Sequence, residues 1–277
     1  MKNSKSKIVV LLVILSLFLV SFPAIEVKAQ GTIYIRADGS VEGTDKLQRN
    51  GNIYTFTGDI NGEIIVEIDD IVINGADYLL QGYGTGVGIS INYQNNVTIK
   101  NLQINNFSSG IGFEVAYNNT ISSNLLLNNG VGIHLTDSDN NIFTGNTFMD
   151  NEQGFYLFIC YNNSIYNNSY INNTRQVFDN WFINPALPEE LESVNIWYNG
   201  TTGNYWSDYN GTDNNADGIG DSPYIINNLN QDNYPLIEEF IIPEFPSLTP
   251  LLIAGFFTTI LASIAYRRKI KQGRKNE

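Results

Sequence analysis

A 22-residue period constrains this chain more than any other feature. Ile99, Ile121, Phe143 and Ile165 are 22 residues apart, as are Gly110, Gly132 and Gly154, with Gln176 next in line. Ile111, Ile133, Phe155 and Val177 keep the same step, and so do Asn118, Asn140 and Asn162, and Asn124, Asn146 and Asn168. Five columns in one register describe a solenoid, whose units bury their apolar sides only by stacking on one another.

A period of this length suits leucine-rich repeats or a β-helix. The Leu-x-x-Leu-x-Leu frame and return stretch of the former are missing. Each unit instead holds period-2 runs, such as Ile111-x-Phe113-x-Val115 and Val131-x-Ile133-x-Leu135, bounded by Asn and Gly. Such runs are strands and turns, and strands of successive coils must pair in parallel about 4.8 Å apart. The expectation is an all-β fold, a parallel β-helix in one elongated domain over 30–235. Regular coils fill 95–180, with looser coils at 54–70 and 71–93 before them. An irregular insertion at 181–192 and a capping region at 194–235 follow. Stacked apolar residues fill the interior. The columns Asn118, Asn140, Asn162 and Asn124, Asn146, Asn168 stand at corners, where asparagine tolerates left-handed backbone and hydrogen-bonds from coil to coil as a ladder.

The ends differ from this body. Lys2, Lys5 and Lys7, the apolar run 8–22 and the small-residue site Val27-Lys28-Ala29 read as a signal peptide over 1–29. At the other end, a linker (236–247) precedes an apolar stretch (248–266) and a basic tail (267–277) opening on Arg267-Arg268-Lys269. That order predicts a transmembrane anchor with its tail in the cytoplasm. The whole chain carries 15 basic and 28 acidic side chains. Setting the two ends aside leaves 5 basic and 26 acidic residues over 30–246, a formal charge of −21. Such a body repels nucleic acid and other anionic polymers.

The soft and imidazole ligands are few. Cys160, the single cysteine, lies in the apolar stretch 155–161 and reads as a small core residue; no disulfide can form within the chain. His134, the single histidine, stands between Ile133 and Leu135 in a strand-like run. Eight asparagines open an Asn-x-Ser/Thr sequon: Asn96, Asn106, Asn118, Asn162, Asn167, Asn172, Asn199 and Asn210. Exposed ones, above all Asn96, Asn106, Asn199 and Asn210, are candidates for glycosylation.

Two motifs follow the coils. In Asp213-Asn214-Asn215-Ala216-Asp217-Gly218-Ile219-Gly220-Asp221, oxygen side chains at positions 1, 3, 5 and 9, a glycine at 6 and a carbonyl at 7 match a calcium loop. The ligands would be Asp213, Asn215, Asp217, the Ile219 carbonyl and Asp221, in a structural Ca²⁺ site. Tyr224 stands where a bidentate Glu would close an EF-hand, so an ion-free Asp/Asn/Gly turn is the other reading. Trp197 and the run Gly203-Asn204-Tyr205-Trp206-Ser207-Asp208-Tyr209 offer a second motif. Trp197, Tyr205, Trp206 and Tyr209 form either a sugar-stacking platform or the plug that closes the last coil.

The Asn-Asn coils, Gly-Asn-Tyr-Trp-Ser-Asp-Tyr, Asp217-Gly218-Ile219-Gly220-Asp221-Ser222-Pro223-Tyr224 and Asn233-Tyr234-Pro235-Leu236 resemble NosD-type right-handed parallel β-helix proteins. The opening Ile33-Tyr34-Ile35-Arg36-Ala37-Asp38-Gly39-Ser40 is similar to the archaeal surface branch of that group. Pro243-Glu244-Phe245-Pro246 before an apolar stretch resembles a PEF-type sorting signal, which implies processing by an archaeosortase. The resemblance also implies a role in copper handling, but one His, one Cys and, once a signal is lost, one Met do not supply the clustered ligands copper needs. No copper is expected.

The wider fold group includes polysaccharide lyases, hydrolases and epimerases, whose chemistry needs converging carboxylates or a basic residue at a cleft. The candidates here are Asp137, Asp139, Asp150 and Glu152, which could share a neighbourhood across coils, although no two lie 22 residues apart. A solvated acidic edge is the competing reading. Three functions therefore stand: an anchored, non-enzymatic surface rod that binds cell-envelope glycans or surface-layer proteins; a carbohydrate-active enzyme; and, more distantly, the copper-handling accessory that the resemblance implies.

Overall fold

The computed structural model describes residues 31–179 and 193–239. The signal peptide, the insertion, the anchor and the tail expected above lie outside the described residues. Among the described residues there is no helix, and so none long and apolar enough to cross a membrane.

Alternating and continuous apolar runs produce short strands, and the period stacks them into three sheets. A regular coil contributes one strand to each. In the coil that starts at Ile142, Ile142–Thr144 joins sheet B, Thr147–Met149 joins sheet C and Gln153–Phe158 joins sheet A. The next coil begins with Tyr161–Tyr166, back in sheet B. Pairing between coils is parallel and in register at 22 residues: Ile99↔Ile121↔Phe143↔Ile165 in sheet B, Ile104↔Leu126↔Phe148↔Tyr170 in sheet C and Ile111↔Ile133↔Phe155↔Val177 in sheet A. All these residues but Val177 are fully buried. Each such side chain contributes on the order of 1.5–3 kcal/mol by leaving water.

The glycine column has a steric cause. A Cβ on Gly110 would lie 2.6 Å from the carbonyl oxygen of Gly132, one on Gly132 2.5 Å from that of Gly154, and one on Gly154 2.6 Å from that of Gln176. Only glycine lets successive backbones approach so closely. Gln176 ends the column, and its side chain reaches the Ser207 hydroxyl and the Asp208 carboxylate of the cap.

Corners separate two roles that the sequence reading had merged. Asn118, Asn140 and Asn162 are exposed and take left-handed φ values of 58°, 57° and 56°. The coil-to-coil ladder runs one residue later, through the fully buried Asn119, Asn141 and Asn163. Each ladder side chain accepts from the backbone amide of its predecessor at 2.8–2.9 Å, and Asn141 also donates to the Ala116 carbonyl at 3.1 Å. The expectation that Asn118, Asn140 and Asn162 form a ladder is thus corrected by one position. Asn124, Asn146 and Asn168 are a second buried ladder, with Ser123, Gly145 and Asn167 as their left-handed neighbours. Asn129, Asn151 and Asn173 form a third. At each of these corners a left-handed residue reverses the chain, and the next side chain satisfies amides that the bend leaves unpaired.

The first coil is covered by the hairpin of Leu47–Asn50 and Ile53–Phe56, whose Tyr54 hydroxyl donates to the Gly39 carbonyl at 2.9 Å. After sheet A ends at Arg175–Asp179, the ladder step lengthens from 22 to 32 residues, from Asn163 to Asn195. Val194–Ile196 then rejoins sheet B and Tyr205–Trp206 rejoins sheet C.

Candidate functional site: the outer face of sheet A and the capped end

Strand alternation sends Ile133 and Leu135 inward, so His134 faces out, and the 22-residue register continues its column. Gly112, His134, Tyr156 and Phe178 pair in sequence across sheet A. The His134 and Tyr156 rings meet edge to face at 4.3 Å between centroids, and Tyr156 and Phe178 do so at 5.5 Å. The Arg175 guanidinium lies 4.3 Å over the Phe178 ring. Thr136↔Phe158 and Val131↔Gln153↔Arg175 flank this column. All of these side chains except the exposed Arg175 are half-buried, as expected where each covers part of its neighbour. Above them the same column narrows to Gly112 and Ser90. The outward column thus opens on Tyr34 and Ile65, narrows to Ser90 and Gly112 in the middle coils and is aromatic in its last three. Partial burial pushes the His134 imidazole below its ordinary pKa, which keeps it neutral at neutral pH. The three aromatic residues are 22 apart, so the repeat that revealed the inner columns also held the signal for this outer one.

The four carboxylates weighed for catalysis do not converge. Asp137 and Asp139 lie at the corner after Val131–Thr136, and Asp150 and Glu152 at the corner before Gln153–Phe158. These strands pair Val131↔Gln153 and Thr136↔Phe158, so the two acidic pairs stand at opposite ends of the strands. A six-residue strand separates them by about 17 Å. Asp139 accepts from the Tyr161 amide at 2.7 Å, and burial raises its pKa. Asp137, Asp150 and Glu152 are exposed, and Asp137 and Asp150 are left-handed corner residues.

The aromatic motif after the coils closes the core. Trp197 is fully buried and Trp206 nearly so, which, of the two readings of this motif, leaves these residues in the plug and not on a sugar platform. Phe148, Tyr170, Trp206 and Tyr224 stack at 4.7, 4.4 and 4.2 Å with their planes within 8° of parallel, continuing the interior of sheet C into a plug. The indole nitrogens of Trp197 and Trp206 donate to Asn230 and Asp232 at 3.1 and 3.0 Å. Tyr205 and Tyr209 are half-buried at the rim, where the Tyr209 hydroxyl donates to the Ser222 carbonyl.

The same motifs terminate the ladders. Asn230 accepts from the Asn195 amide at 2.9 Å and ends the first. Asp232 accepts from the Asn204 amide at 2.6 Å and ends the second. Gln176 accepts from Asn173 at 2.9 Å and ends the third. Burial raises the Asp232 pKa despite the amide and indole donors that favour its ionised form.

In the acidic loop, the Asp213 carboxylate accepts from the amides of Asp217 and Gly218, Asn215 from Asp217, Asp217 from Ile219, and Asp221 from Asn214. Among the described residues, no group of three or more His, Cys, Asp or Glu side chains is placed to hold a metal. Of the sequon asparagines, Asn167 is half-buried, and Asn96, Asn106, Asn118, Asn162, Asn172, Asn199 and Asn210 are exposed.

Three stacked parallel sheets, asparagine-laddered corners and an aromatic plug define a β-solenoid, a parallel β-helix. Residues 27–211 match the family model described as periplasmic copper-binding protein (NosD), and the chain belongs to that family. No curated protein and no solved structure matches it. The residues present do not fit a copper site. His134 faces out from sheet A, Met149 stands on the outer side of sheet C beside the inward Phe148, and Cys160 is sealed inside a corner. Burial pushes the Cys160 thiol up to about 12, away from the thiolate that a soft metal requires.

Proposed function

We propose that this protein is an exported, membrane-anchored and non-enzymatic rod, whose sheet A face binds extended glycan chains of the cell envelope. The observation that carries this reading is the outward column His134, Tyr156 and Phe178, flanked by Gln153 and Arg175. Aromatic faces and edges on a flat strand surface suit the apolar faces of pyranose rings, while the flanking amide and guanidinium groups suit their hydroxyls. A column with one ring per coil, about 4.8 Å per step, follows a polymer along its length rather than enclosing one sugar. The charge of −21 over 30–246 favours neutral or cationic chains over anionic ones. Export is supported by the basic and apolar N-terminal pattern and by membership of a family described as periplasmic.

The test incubates the protein with a polysaccharide panel that includes envelope glycans, and scores retention and newly released sugar ends in the same tubes. Retention without product is expected. Tyr156→Ala should weaken it by about tenfold, in line with roughly 1.4 kcal/mol for one lost ring contact. Retention unchanged by Tyr156→Ala and Phe178→Ala would move the binding surface elsewhere. Released ends that vanish in an Asp150 or Glu152 variant would make the protein an enzyme.

A further inference from the structure

The sequons are not equivalent once placed on the coils. In Asn118-Asn119-Thr120 and Asn162-Asn163-Ser164, alternation turns the middle asparagine inward to the ladder and leaves the first amide and the hydroxyl facing out together. Asn172-Asn173-Thr174 repeats this arrangement at the corner between sheets C and A, with Asn172 and Thr174 both exposed. The side chains of these three asparagines and their hydroxyl partners make no hydrogen bond to another described residue.

The other five sequons are engaged. Asn96 donates through its amide nitrogen to Asp70 at 2.9 Å, and Asn106 donates to the Gly82 carbonyl at 3.2 Å. Asn167 accepts from Thr202 of the cap at 2.9 Å, and its Ser169 is fully buried. Asn199 accepts from the hydroxyls of Thr201 and Thr202. The Asn210 sequon ends in Thr212, whose hydroxyl reaches Asp221 and accepts from Asn214.

From this placement we infer that Asn118, Asn162 and Asn172 are the N-glycosylation acceptors of the folded chain, and that Asn167 is not one. The inference rests on the export reading, because the sugar donor and its transferase act outside the cytoplasm. The donor is a lipid-phosphate-linked sugar. The asparagine amide nitrogen bonds to the sugar C1, the bond from C1 to the phosphate oxygen breaks with its electron pair leaving on the lipid phosphate, and the amide proton passes to a base of the transferase. Asn118 and Asn162 share one column, and Asn140 between them lacks the hydroxyl because Ile142 stands at its +2 position. Their sugars are thus two coils apart, about 9.6 Å, which leaves room for both chains. A sugar on Asn167 would occupy the place where Thr202 seats the cap.

The experiment purifies the full chain from the cells that make it, records which fraction holds it, and maps glycopeptides by mass spectrometry. Sugar on the peptides of Asn118, Asn162 and Asn172 with an unmodified Asn167 is expected. Thr120→Ala, Ser164→Ala and Thr174→Ala should each remove one modification without altering a corner or a ladder. An exported chain with these three sites bare, or with Asn167 modified, overturns the inference and leaves the export reading standing. A chain confined to the cytoplasm overturns both.

Discussion

Neighbouring asparagines at one corner bear unequal energetic weight. The Asn146 side chain accepts from the amide and side chain of Asn124 and donates to the Ile121 carbonyl and Asn168, all out of water. Asn146→Ala should therefore cost about 3 kcal/mol or more, because buried partners are left unpaired. Asn140 is exposed at φ 57°, so Asn140→Ala should cost about 1 kcal/mol through the left-handed backbone alone, and Asn140→Gly close to none. Urea unfolding of the three variants checks the order, and equal losses at 140 and 146 would refute the division of roles. The sequence displayed both asparagines at each repeat but not which one turned in, since 118 and 119 keep the same period. That choice depends on a one-residue phase that chain alternation sets through the bend. Cys160 gives a chemical readout of the same interior: with its thiol pushed up to about 12, it should resist alkylation at pH 7 until the chain unfolds.

At the scale of elements, the strands and their register were the most legible part. Inner columns at one spacing leave a parallel pairing no alternative. The cap was read only in part, because buried and exposed tryptophans look alike in a sequence, whereas their indole partners Asn230 and Asp232 come from a segment 26 or more residues later. Folding holds a proton on Asp232 more tightly than the open chain does, since burial raises its pKa above the ordinary 3.8. Stability should accordingly be greatest below about pH 4 for this group and fall as pH rises through the raised value. Asp232→Asn should flatten that part of the profile. It should also lower stability by about 1–3 kcal/mol, because its amide group would face the Tyr234 amide that a carboxylate oxygen now accepts. The Tyr170 hydroxyl, fully buried in the plug, has no hydrogen-bond partner among the described residues, so Tyr170→Phe should raise stability by about 1 kcal/mol in the same unfolding assay. Gly132→Ala should do the opposite by several kcal/mol, given the 2.5 Å approach to the Gly154 oxygen.

For the molecule as a whole, the outer surface was less legible than the core. Interior residues repeat because every coil meets the same neighbours, but nothing in stacking dictates what faces water. The aromatic column of sheet A consequently passed as one histidine in a strand, while the two carboxylate pairs, close in sequence, stand at opposite ends of a strand. The register described for coils 99–165 carries a further consequence. Each 22-residue unit meets only the unit before and the unit after it, with matching columns on both sides. Removing residues 119–140 should bring Asn141 onto Val97 and Phe143 onto Ile99, and leave a chain that still folds with its two caps intact. Such a shortened form, tested by circular dichroism and scattering, should lose about 4.8 Å of length and little else. The length of the coil stack is then a quantity that evolution can adjust in whole steps, by copying or dropping a unit, without redesigning either end.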